Sequence, residues 1–538
     1  MSDLTRLRQL LTAYFNESEL RTLAFDLGLD YELLPGATRG DKARELVAHL
    51  WRTDRLGELI YMGREARPNA DWPDGTAVPP PGDPPRTGPR SVGPPVSGAP
   101  PALLHDPAAN PFTYGNPISD PNRFFGRARE IEQVFNRLRN AEGESSSIVG
   151  GRRIGKSSLL NYLAHPDVHK RFGFDPERSI FVYVDLQIVD QQTTPARLWQ
   201  RLLSRMGRHN TGEELSRKVS EIIDGGTFDN FTLTDLFDLV DRQHRHIVFL
   251  LDEFENVTTN PNFDPGFFYG LRSLAIQHNL SLVTSSRHEL IDLTHSQEVR
   301  SSPFFNIFAN INIRLFTAAE TGKLVAGLLS GTHIEFSEED TATLVEIAGG
   351  HPFFLQAAGY FLVAASGEYA DAGKRRAAWL SAFRSEAGPH LAHYWHTSDI
   401  NERAALATLA LLSRRATGRP FLDARELEAH FPRAGQILPM LVRQGYVAED
   451  GGRYAVFSRV FADWIAAELR AGDHATVESA PAESVGTGPA KLPANRRKAL
   501  ALLAGHIAPA YQPLLIILLE KCNDPDLTAR LVIEGLAG

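Results

Sequence analysis

A glycine-rich segment followed by lysine and serine carries the strongest chemical signal in the chain. Residues 145–163 read SSSIVGGRRIGKSSLLNYL, which fits the spacing G-x-x-x-x-G-K-[ST]. Glycines in this layout let backbone N–H groups surround phosphate oxygens, the lysine reaches the β and γ phosphates, and the serine hydroxyl binds Mg²⁺. The spacing therefore predicts a nucleotide-binding loop formed by Gly150, Gly151, Arg152, Arg153, Ile154, Gly155, Lys156, Ser157 and Ser158.

Acidic residues end the apolar run IVFLLDEFE at positions 247–255. A carboxylate at the carboxyl end of a strand can hold Mg²⁺ through water, and an adjacent carboxylate can polarise the attacking water. We therefore expect Asp252 to be the metal residue, Glu253 the catalytic base and Lys156 the catalytic cation. The alternative is that both acids merely open a solvated loop. Glu255 is a weaker candidate for these roles and is expected instead to be a loop charge.

A third polar strand end is found in LVTSSRHEL, residues 282–290, where Ser285, Ser286 and Arg287 follow an apolar run. A cation at this edge of the sheet would contact the γ phosphate and respond to its loss. The alternative for Arg287 is a surface salt bridge.

Short β-branched runs alternate with helical patterns through this part of the chain, which predicts a parallel sheet with crossover helices. The runs are SSIVGG, SIFVYVDLQ at 179–187, HIVFLLDEFE at 246–255, LSLVTSSR at 280–287 and INIRLF at 311–316. Residues 334–395 then become helical in pattern. From Glu402 to Leu469, three helices, a hairpin turning at Asp450-Gly451-Gly452 and a closing helix predict a winged helix.

Two polar stretches, the first of them rich in proline and glycine, divide the chain, because such segments bury too little apolar surface to offset their ordering entropy. They predict linkers at residues 67–109 and 471–492. Between and around them we expect a helical module at 1–66, an NTPase domain at 110–330, a helical lid at 331–398, a winged-helix domain at 399–470 and a small helical module at 493–538. The last module is expected to dock on the body or on a partner, since 46 residues make a marginal core.

Residues 110–470 together resemble the STAND class of P-loop NTPases, which are related to AAA+ proteins and origin-recognition ATPases. The resemblance rests on NPFTYGNPISDPNRFFGRAREIE at 110–132, the phosphate-binding loop, LLDE, the SSR strand end, GGHPFFLQ and the trailing winged helix. It implies a multidomain protein whose α/β P-loop NTPase has a parallel sheet of the ASCE/AAA+ type, with ATP or ADP and Mg²⁺ as cofactors.

The same resemblance implies how the base is held. Phe125-Gly126-Arg127 would pack around adenine and ribose, and His351-Pro352 would close on the base. The alternative for Pro352 is a proline that simply starts a helix. The Met-His-Asp motif by which many such winged helices hold ADP is not evident, and the comparable place reads FSRVFADW, residues 457–464.

Residues 1–66 are predicted to be a helical bundle, because Leu4, Leu7, Leu10, Leu11, Tyr14 and Phe15 recur at helical spacing. The part from Asn16 to Glu32 is acidic, with Glu17, Glu19, Asp26, Asp30 and Glu32. The following part is basic, with Arg39, Lys42, Arg44, Arg52 and Arg55. Opposite charges on different faces favour head-to-tail contact between copies, although ordinary solvated helix faces give the same pattern. This module resembles bacterial death-like, effector-associated domains, which recruit partners by like-with-like contact.

Composition narrows the function classes. The net charge of −9 argues against a protein that coats nucleic acid. The single cysteine, Cys522, permits no internal disulfide and fits the reducing cytoplasm. No apolar run reaches the ~20 residues of a membrane span, so we expect no membrane partner.

The leading hypothesis is an ATP-dependent signalling switch that self-associates on ATP binding and recruits an effector carrying a similar death-like domain, in bacterial conflict or antiphage defence. The rival is an origin-recognition-like ATPase that binds DNA through its winged helix; a scaffold with a vestigial nucleotide site is a third option. Nucleic acid is the less favoured partner, because the would-be recognition helix GQILPMLVRQGYV carries only Arg443 as a cation.

Overall fold

The computed structural model describes residues 110–140, 143–209, 211–415, 421–470 and 492–537, together with the helix Arg39–Arg52 and other residues between 7 and 72. The chain divides into two compact units, residues 1–102 and residues 103–538. The predicted linker from residue 73 onward and most of the second linker lie outside the described residues.

The first unit has a helical core. Leu7, Leu10, Leu11 and Phe15 are buried in it, as their spacing predicts, whereas Tyr14 is 50% exposed. Helix α1 (Arg39–Arg52) adds a buried face that includes Ala43, Leu46, Val47 and Leu50. Leu4, Asn16 and Arg55, and all of the predicted acidic residues except Glu19, lie outside the described residues.

The core of the first unit extends past the boundary predicted at residue 66. Trp72 is 6% exposed and packs edge-on against Phe15, with 6.2 Å between the ring centroids. Its indole N–H donates to the Arg67 carbonyl oxygen (3.1 Å), and Arg67 in turn donates to a Glu19 carboxylate oxygen (2.6 Å). A buried tryptophan is a large share of so small a core, so Arg67 and Trp72 pack with the helical module.

A five-stranded parallel sheet forms the centre of the second unit, in the order β2–β3–β4–β1–β5. The strands are β1 (Ser146–Val149), β2 (Ser179–Asp185), β3 (His246–Asp252), β4 (Leu280–Ser286) and β5 (Ala309–Asn312). Strands β1, β3 and β4 are buried almost throughout, which is why they read as continuous apolar and β-branched runs. The predicted parallel α/β sheet is therefore confirmed.

The fifth strand begins and ends earlier than the run INIRLF at 311–316 suggested. Strand β5 pairs with β1 only as far as Asn312, and Phe316 instead donates its backbone N–H to the Gly350 carbonyl oxygen (2.8 Å). The apolar residues after Asn312 contact the loop and the lid, which is a tertiary contact that a local pattern does not report.

Helices flank the sheet on both faces. They are α2 (Ala128–Leu138), α3 (Lys156–Ala164), α4 (Pro166–Arg171), α5 (Pro195–Met206), α6 (Glu213–Gly225), α7 (Asn230–Arg242), α8 (Glu255–Thr258), α9 (Pro265–Gln277) and α10 (Gln297–Arg300). Several begin with a side-chain cap; Thr194, Asp229 and Asp264 each accept a backbone N–H of the first turn.

The region predicted to be a lid is helical. Residues 331–398 contain α12 (Glu338–Ala348), α13 (Pro352–Glu368) and α14 (Ala372–Thr397). Helix α11 (Ala318–Leu329) precedes the predicted bound of the lid but shares the apolar core of these helices, so we describe it with the lid. Gly349 and Gly350, between α12 and α13, both have positive φ and lie against backbone carbonyls of Phe457 and Phe316. A Cβ at either position would collide with those carbonyls, so this junction requires glycine.

Residues 400–470, which we call the hairpin domain, follow the predicted order of helices and hairpin. The elements are α15 (Ile400–Arg415), β6 (Leu422–Asp423), α16 (Ala424–His430), α17 (Ala434–Gln444), β7 (Val447–Asp450), β8 (Arg453–Val456) and α18 (Arg459–Leu469). The hairpin turns at Gly451 and Gly452, whose φ values of 57° and 78° suit glycine. Strand β6 adds a short third strand that the sequence did not predict.

The C-terminal helices α19 (Ala494–Leu503), α20 (Gln512–Lys521) and α21 (Pro525–Ala537) dock on the hairpin domain. Arg414 donates from Nε to the Gly535 carbonyl oxygen (2.8 Å), and the Asn523 N–H donates to the Ala429 carbonyl oxygen (3.3 Å). A Cβ at Gly535 would lie 2.5 Å from the Leu411 carbonyl oxygen. Of the two expected docking partners, the body is therefore the one observed.

Candidate nucleotide site

The glycine-rich loop joins the end of β1 to the start of α3. Gly155 caps α3 with a φ of 100°, and Arg153 is also left-handed with a φ of 60°. A Cβ at Gly150 would lie 3.1 Å from the Ile313 carbonyl oxygen, so the backbone approaches its neighbours closely. The loop therefore presents backbone N–H groups at a helix N-terminus, which is the geometry that binds phosphate.

Lys156 is buried in this loop, with 7% of its surface exposed. Its Nζ donates to the carbonyl oxygens of Gly150 (2.9 Å) and Gly151 (3.0 Å). Burial lowers the pKa of Lys156, and the nearby carboxylates, led by Glu255, oppose that shift. The ammonium group is therefore held over its own loop, where a bound phosphate would replace weak carbonyl acceptors by strong anionic ones.

The remaining loop residues border the neighbouring segments. Ser157, the predicted metal residue, lies half-buried in the first turn of α3. The Ser158 hydroxyl accepts the Ile118 N–H (3.0 Å), so Ser158 anchors the segment that leads into the domain. The Arg153 guanidinium stacks over the Phe353 ring at 4.3 Å, which places the loop beside the lid.

Asp252 ends β3 at the same edge of the sheet and is 2% exposed. Its Oδ1 accepts hydrogen bonds from the Ser285 hydroxyl and from the Glu253 N–H (3.2 Å), while its Oδ2 accepts the Tyr183 hydroxyl (3.0 Å). Burial raises the pKa of Tyr183, and the neighbouring charge of Asp252 raises it further. The phenol therefore keeps its proton and remains a hydrogen-bond donor. Three donors, one from β2, one from β4 and one from the residue after β3, thus fix the carboxylate, and neither Ser285 nor Tyr183 had been predicted to hold it.

Glu253 and Arg287 face each other across adjacent strand ends. Glu253 adopts a φ of 52°, a conformation that a non-glycine residue seldom takes and that turns its side chain out of the strand. One guanidinium nitrogen of Arg287 lies 3.9 Å from Glu253 Oε2, and another lies 3.6 Å from Glu255 Oε1. The structure therefore brings Lys156, Asp252, Glu253 and Arg287 to one edge of the sheet, where sequence predicted them.

The prediction that Glu255 is a loop charge is wrong. Glu255 opens helix α8 and is 8% exposed, and burial raises the pKa of its carboxyl. Neither of its carboxylate oxygens has a hydrogen-bond partner in any other described residue. The sequence gives no sign of this burial, because the pattern D-E-F-E reads equally well as a solvated turn.

The segment Phe125-Gly126-Arg127 packs between the phosphate-binding loop and the lid. Arg127 is 3% exposed and donates to the carbonyl oxygens of Arg314 and of Ile154, the latter at 3.1 Å from Nη2. Phe125 contacts Gly327 of α11 so closely that a Cβ there would collide with its ring. Arg127 thus supports the back of the loop, and Phe125 packs against a helix of the lid.

His351 is buried beside the phosphate-binding loop, with 1% of its surface exposed. Its Nε2 lies 3.3 Å from the Tyr394 hydroxyl, which also reaches the Arg152 carbonyl oxygen at 3.2 Å. Burial lowers the pKa of His351 to about 3, so the imidazole is neutral near pH 7. Pro352 occupies the first position of α13, the place where proline best fits a helix.

The hairpin domain contacts the loop directly at the end of α17. A Cβ at Gly151 would overlap the Gln444 carbonyl oxygen, so glycine alone fits this contact. The Gln444 side chain donates to Glu402 Oε1 (3.0 Å), and Gly445 caps the helix with a φ of 78°. The segment FSRVFADW begins near this contact. The ring centroids of its first residue, Phe457, and of His351 are 5.4 Å apart.

These residues fit a nucleoside triphosphate with Mg²⁺. Glycines leave room for phosphate oxygens, a buried ammonium supplies positive charge, and Ser157 with Asp252 provides oxygen ligands of the kind that Mg²⁺ prefers. The long-range supports, Tyr183, Tyr394 and Gln444, have no signal in the spacing of the sequence.

Comparison with known proteins agrees with this site. Residues 140–373 match the family model described as novel STAND NTPase 2, and residues 7–68 match that of effector-associated domain 7. The first match spans the phosphate-binding loop, Asp252 and Arg287, and the second spans helix α1. No curated protein matches the chain.

Solved structures with similarity include the Walker-type ATPase PABY2304 of Pyrococcus abyssi, which is 15% identical, with a TM-score of 0.43 over 65% of this chain and 98% of that chain. The ORC2 protein of Aeropyrum pernix, in its ADPNP–ADP complexes, is 14% identical, with a TM-score of 0.42 over 64% and 95%. A RuvB variant of Thermotoga maritima is 12% identical, with a TM-score of 0.32 over 63% and 94%. Among the described residues, no helix has the length and apolar character to cross a membrane.

Proposed function

We propose that this protein is an ATP-dependent signalling switch. In the closed arrangement the hairpin domain, which we interpret as a winged helix, is seated on the phosphate-binding loop. Exchange of ADP for ATP releases that contact, the chain self-associates, and the effector-associated domain recruits an effector that carries a similar domain. The composition and the family fit a cytoplasmic role in bacterial conflict or antiphage defence.

The observation that carries this proposal is the contact between the phosphate-binding loop and two later parts of the chain. The Gln444 carbonyl meets Gly151, and the Tyr394 hydroxyl donates to the Arg152 carbonyl oxygen (3.2 Å). A phosphate that rearranges this loop on binding must therefore also break or shift these contacts, and the contacts oppose that rearrangement. Binding at the loop and the position of the hairpin domain are thus linked, as a two-state switch requires.

The chain's own residues divide the hydrolytic work. Lys156 and the loop N–H groups bind the phosphates, while Ser157 and Asp252 would hold Mg²⁺, which supplies neutralising charge to the terminal phosphates when bound. Glu253 polarises the attacking water. Arg287, 48% exposed, is free enough to turn from the carboxylates toward the γ phosphate.

Glu253→Gln is expected to keep nucleotide binding while hydrolysis falls by about a hundredfold to ten-thousandfold, because an amide fills the same space but cannot accept the water's proton. If hydrolysis resets the switch, the variant will accumulate in its ATP-bound, self-associated form. Phosphate release and particle mass, measured on the same sample, check both statements. An ATP-bound variant that stays monomeric and inactive in cells would argue for a mechanical ATPase instead.

Deleting residues 1–72 is expected to leave nucleotide binding and hydrolysis within about twofold of wild type while effector recruitment is lost. The cut follows Trp72 because a cut after residue 66 would leave half of a packed contact behind. Pull-down of the effector and ATP turnover are the two measurements. Loss of turnover, or any change in affinity for duplex DNA, would contradict an adaptor role for this module.

Charge reversal of Arg39, Lys42 and Arg44 to glutamate tests the same role without truncation. We expect recruitment to fall and ATP turnover to persist, because a like-charged face opposes head-to-tail contact. Raising salt should weaken wild-type recruitment, since exposed charges are screened within about 10 Å at 0.1 M.

The alternative function, DNA binding by the hairpin domain, has less support. The last residue of the would-be recognition helix α17 lies against the phosphate-binding loop. The buried face of α17 is apolar and Arg443 is the only cation of this helix, whereas base and phosphate contacts require several polar or basic side chains.

A further inference from the structure

Glu255 is an unusual carboxylate in this site. Both oxygens are buried and lack a hydrogen-bond donor from any other described residue, whereas the nearby Asp252 accepts three hydrogen bonds. A buried charge without donors is costly unless opposite charges face it. The charges that surround Glu255 therefore determine what it does.

Two cations face this carboxylate. Arg287 Nε lies 3.6 Å from Glu255 Oε1, too far for a hydrogen bond but close enough for strong attraction. Among the acidic groups, Glu255 exerts the largest effect on Lys156, ahead of Glu253 and Asp252. Lys156 and Arg287 are the same two cations that the proposed function assigns to the terminal phosphates.

We propose that Glu255 is a positioning residue that stands in for the terminal phosphate of ATP while the site is empty. Its negative charge keeps Lys156 and Arg287 directed into the site and releases them when a phosphate takes its place. This inference rests on the proposed function, because it requires that the site bind a nucleoside triphosphate. Glu255 then has two opposite effects, since it stabilises the empty site and repels the incoming anion.

The two effects predict that one substitution raises the affinity for ATP and lowers the stability of the empty protein. In Glu255→Gln the repulsion is gone, so we expect ATP without Mg²⁺ to bind about tenfold more tightly, given charges in a partly buried site. ADP should gain less, because it lacks the terminal phosphate. The empty protein should melt at a lower temperature, since Lys156 and Arg287 both lose a counter-charge. A residue with a merely structural role would weaken both binding and stability.

The experiment measures affinities for ATP and ADP by calorimetry in EDTA, then with Mg²⁺, and the melting temperature without nucleotide. Glu298→Gln is the matched control, because Glu298 is exposed on α10 and forms no ion pair among the described residues. Glu255→Leu provides a second neutral variant that needs no hydrogen-bond partner, and it should show the same gain in ATP affinity.

Suppose that ATP binding is unchanged or weakened in both neutral variants, while the wild type and Glu298→Gln bind normally. That result would overturn the role of Glu255 but leave the proposed function standing. Absence of ATP binding by the wild-type protein would overturn the proposed function, and this inference with it. A tenfold gain for ATP that exceeds the gain for ADP would support it.

Discussion

Lys156→Ala is expected to reduce ATP affinity by at least about a hundredfold. The ammonium is buried in the loop and donates hydrogen bonds to two of its carbonyl oxygens. A charge-assisted hydrogen bond contributes about 1.5–3 kcal/mol, and the lost partners would leave phosphate charge uncompensated in a buried site. Backbone N–H groups and the helix N-terminus remain, but their partial charges are weaker.

Calorimetric titration with ATP and ADP measures this loss, and Lys170→Ala is the control, because Lys170 is exposed on the next helix. Undiminished ATP affinity in the variant would remove the assignment of residues 150–158 as the phosphate-binding loop.

Gly151→Ala is expected to separate the hairpin domain from the loop. The new Cβ would occupy the position of the Gln444 carbonyl oxygen, and a backbone atom cannot rotate away as a side chain does. Overpacking of this kind costs about 1–3 kcal/mol or more, which is comparable to the energy that holds a two-state switch closed. The variant should therefore self-associate even with ADP.

Hydrogen exchange of helix α17 and particle mass with ADP report this opening. Gly367→Ala is the matched control, because Gly367 has no neighbour within 4 Å of its added Cβ and, like Gly151, does not have a positive φ. A Gly151→Ala protein that binds ADP, stays monomeric and exchanges like wild type would show that this contact does not restrain the switch.

Sequence predicted the parts of the site that depend on local chain geometry. The loop between β1 and α3, Asp252 at the end of β3 and Arg287 after β4 all follow from short motifs attached to strands. Parallel strands place their carboxyl ends along one edge, so separate motifs come together once the sheet is recognised. The hairpin turn at Gly451 and Gly452 was predictable for the same reason.

Contacts between distant segments were not predictable. Trp72 looked like part of a proline-rich linker, yet it completes the core of the first unit. Glu255 looked like a loop charge, yet it is buried beside Lys156. The Gly151–Gln444 contact joins residues from two domains, and nothing in either local pattern indicates the other. Such contacts depend on tertiary packing, which residue spacing does not encode.

Particle mass in two nucleotide states is the direct test of whether the bound nucleotide controls self-association. The wild-type protein is measured by light scattering with ADP and with a slowly hydrolysed ATP analogue, both with Mg²⁺, and Lys156→Ala serves as the control that should not respond. The switch account predicts a monomer with ADP and a larger assembly with the analogue. The same mass in both states, with both nucleotides bound, would contradict it.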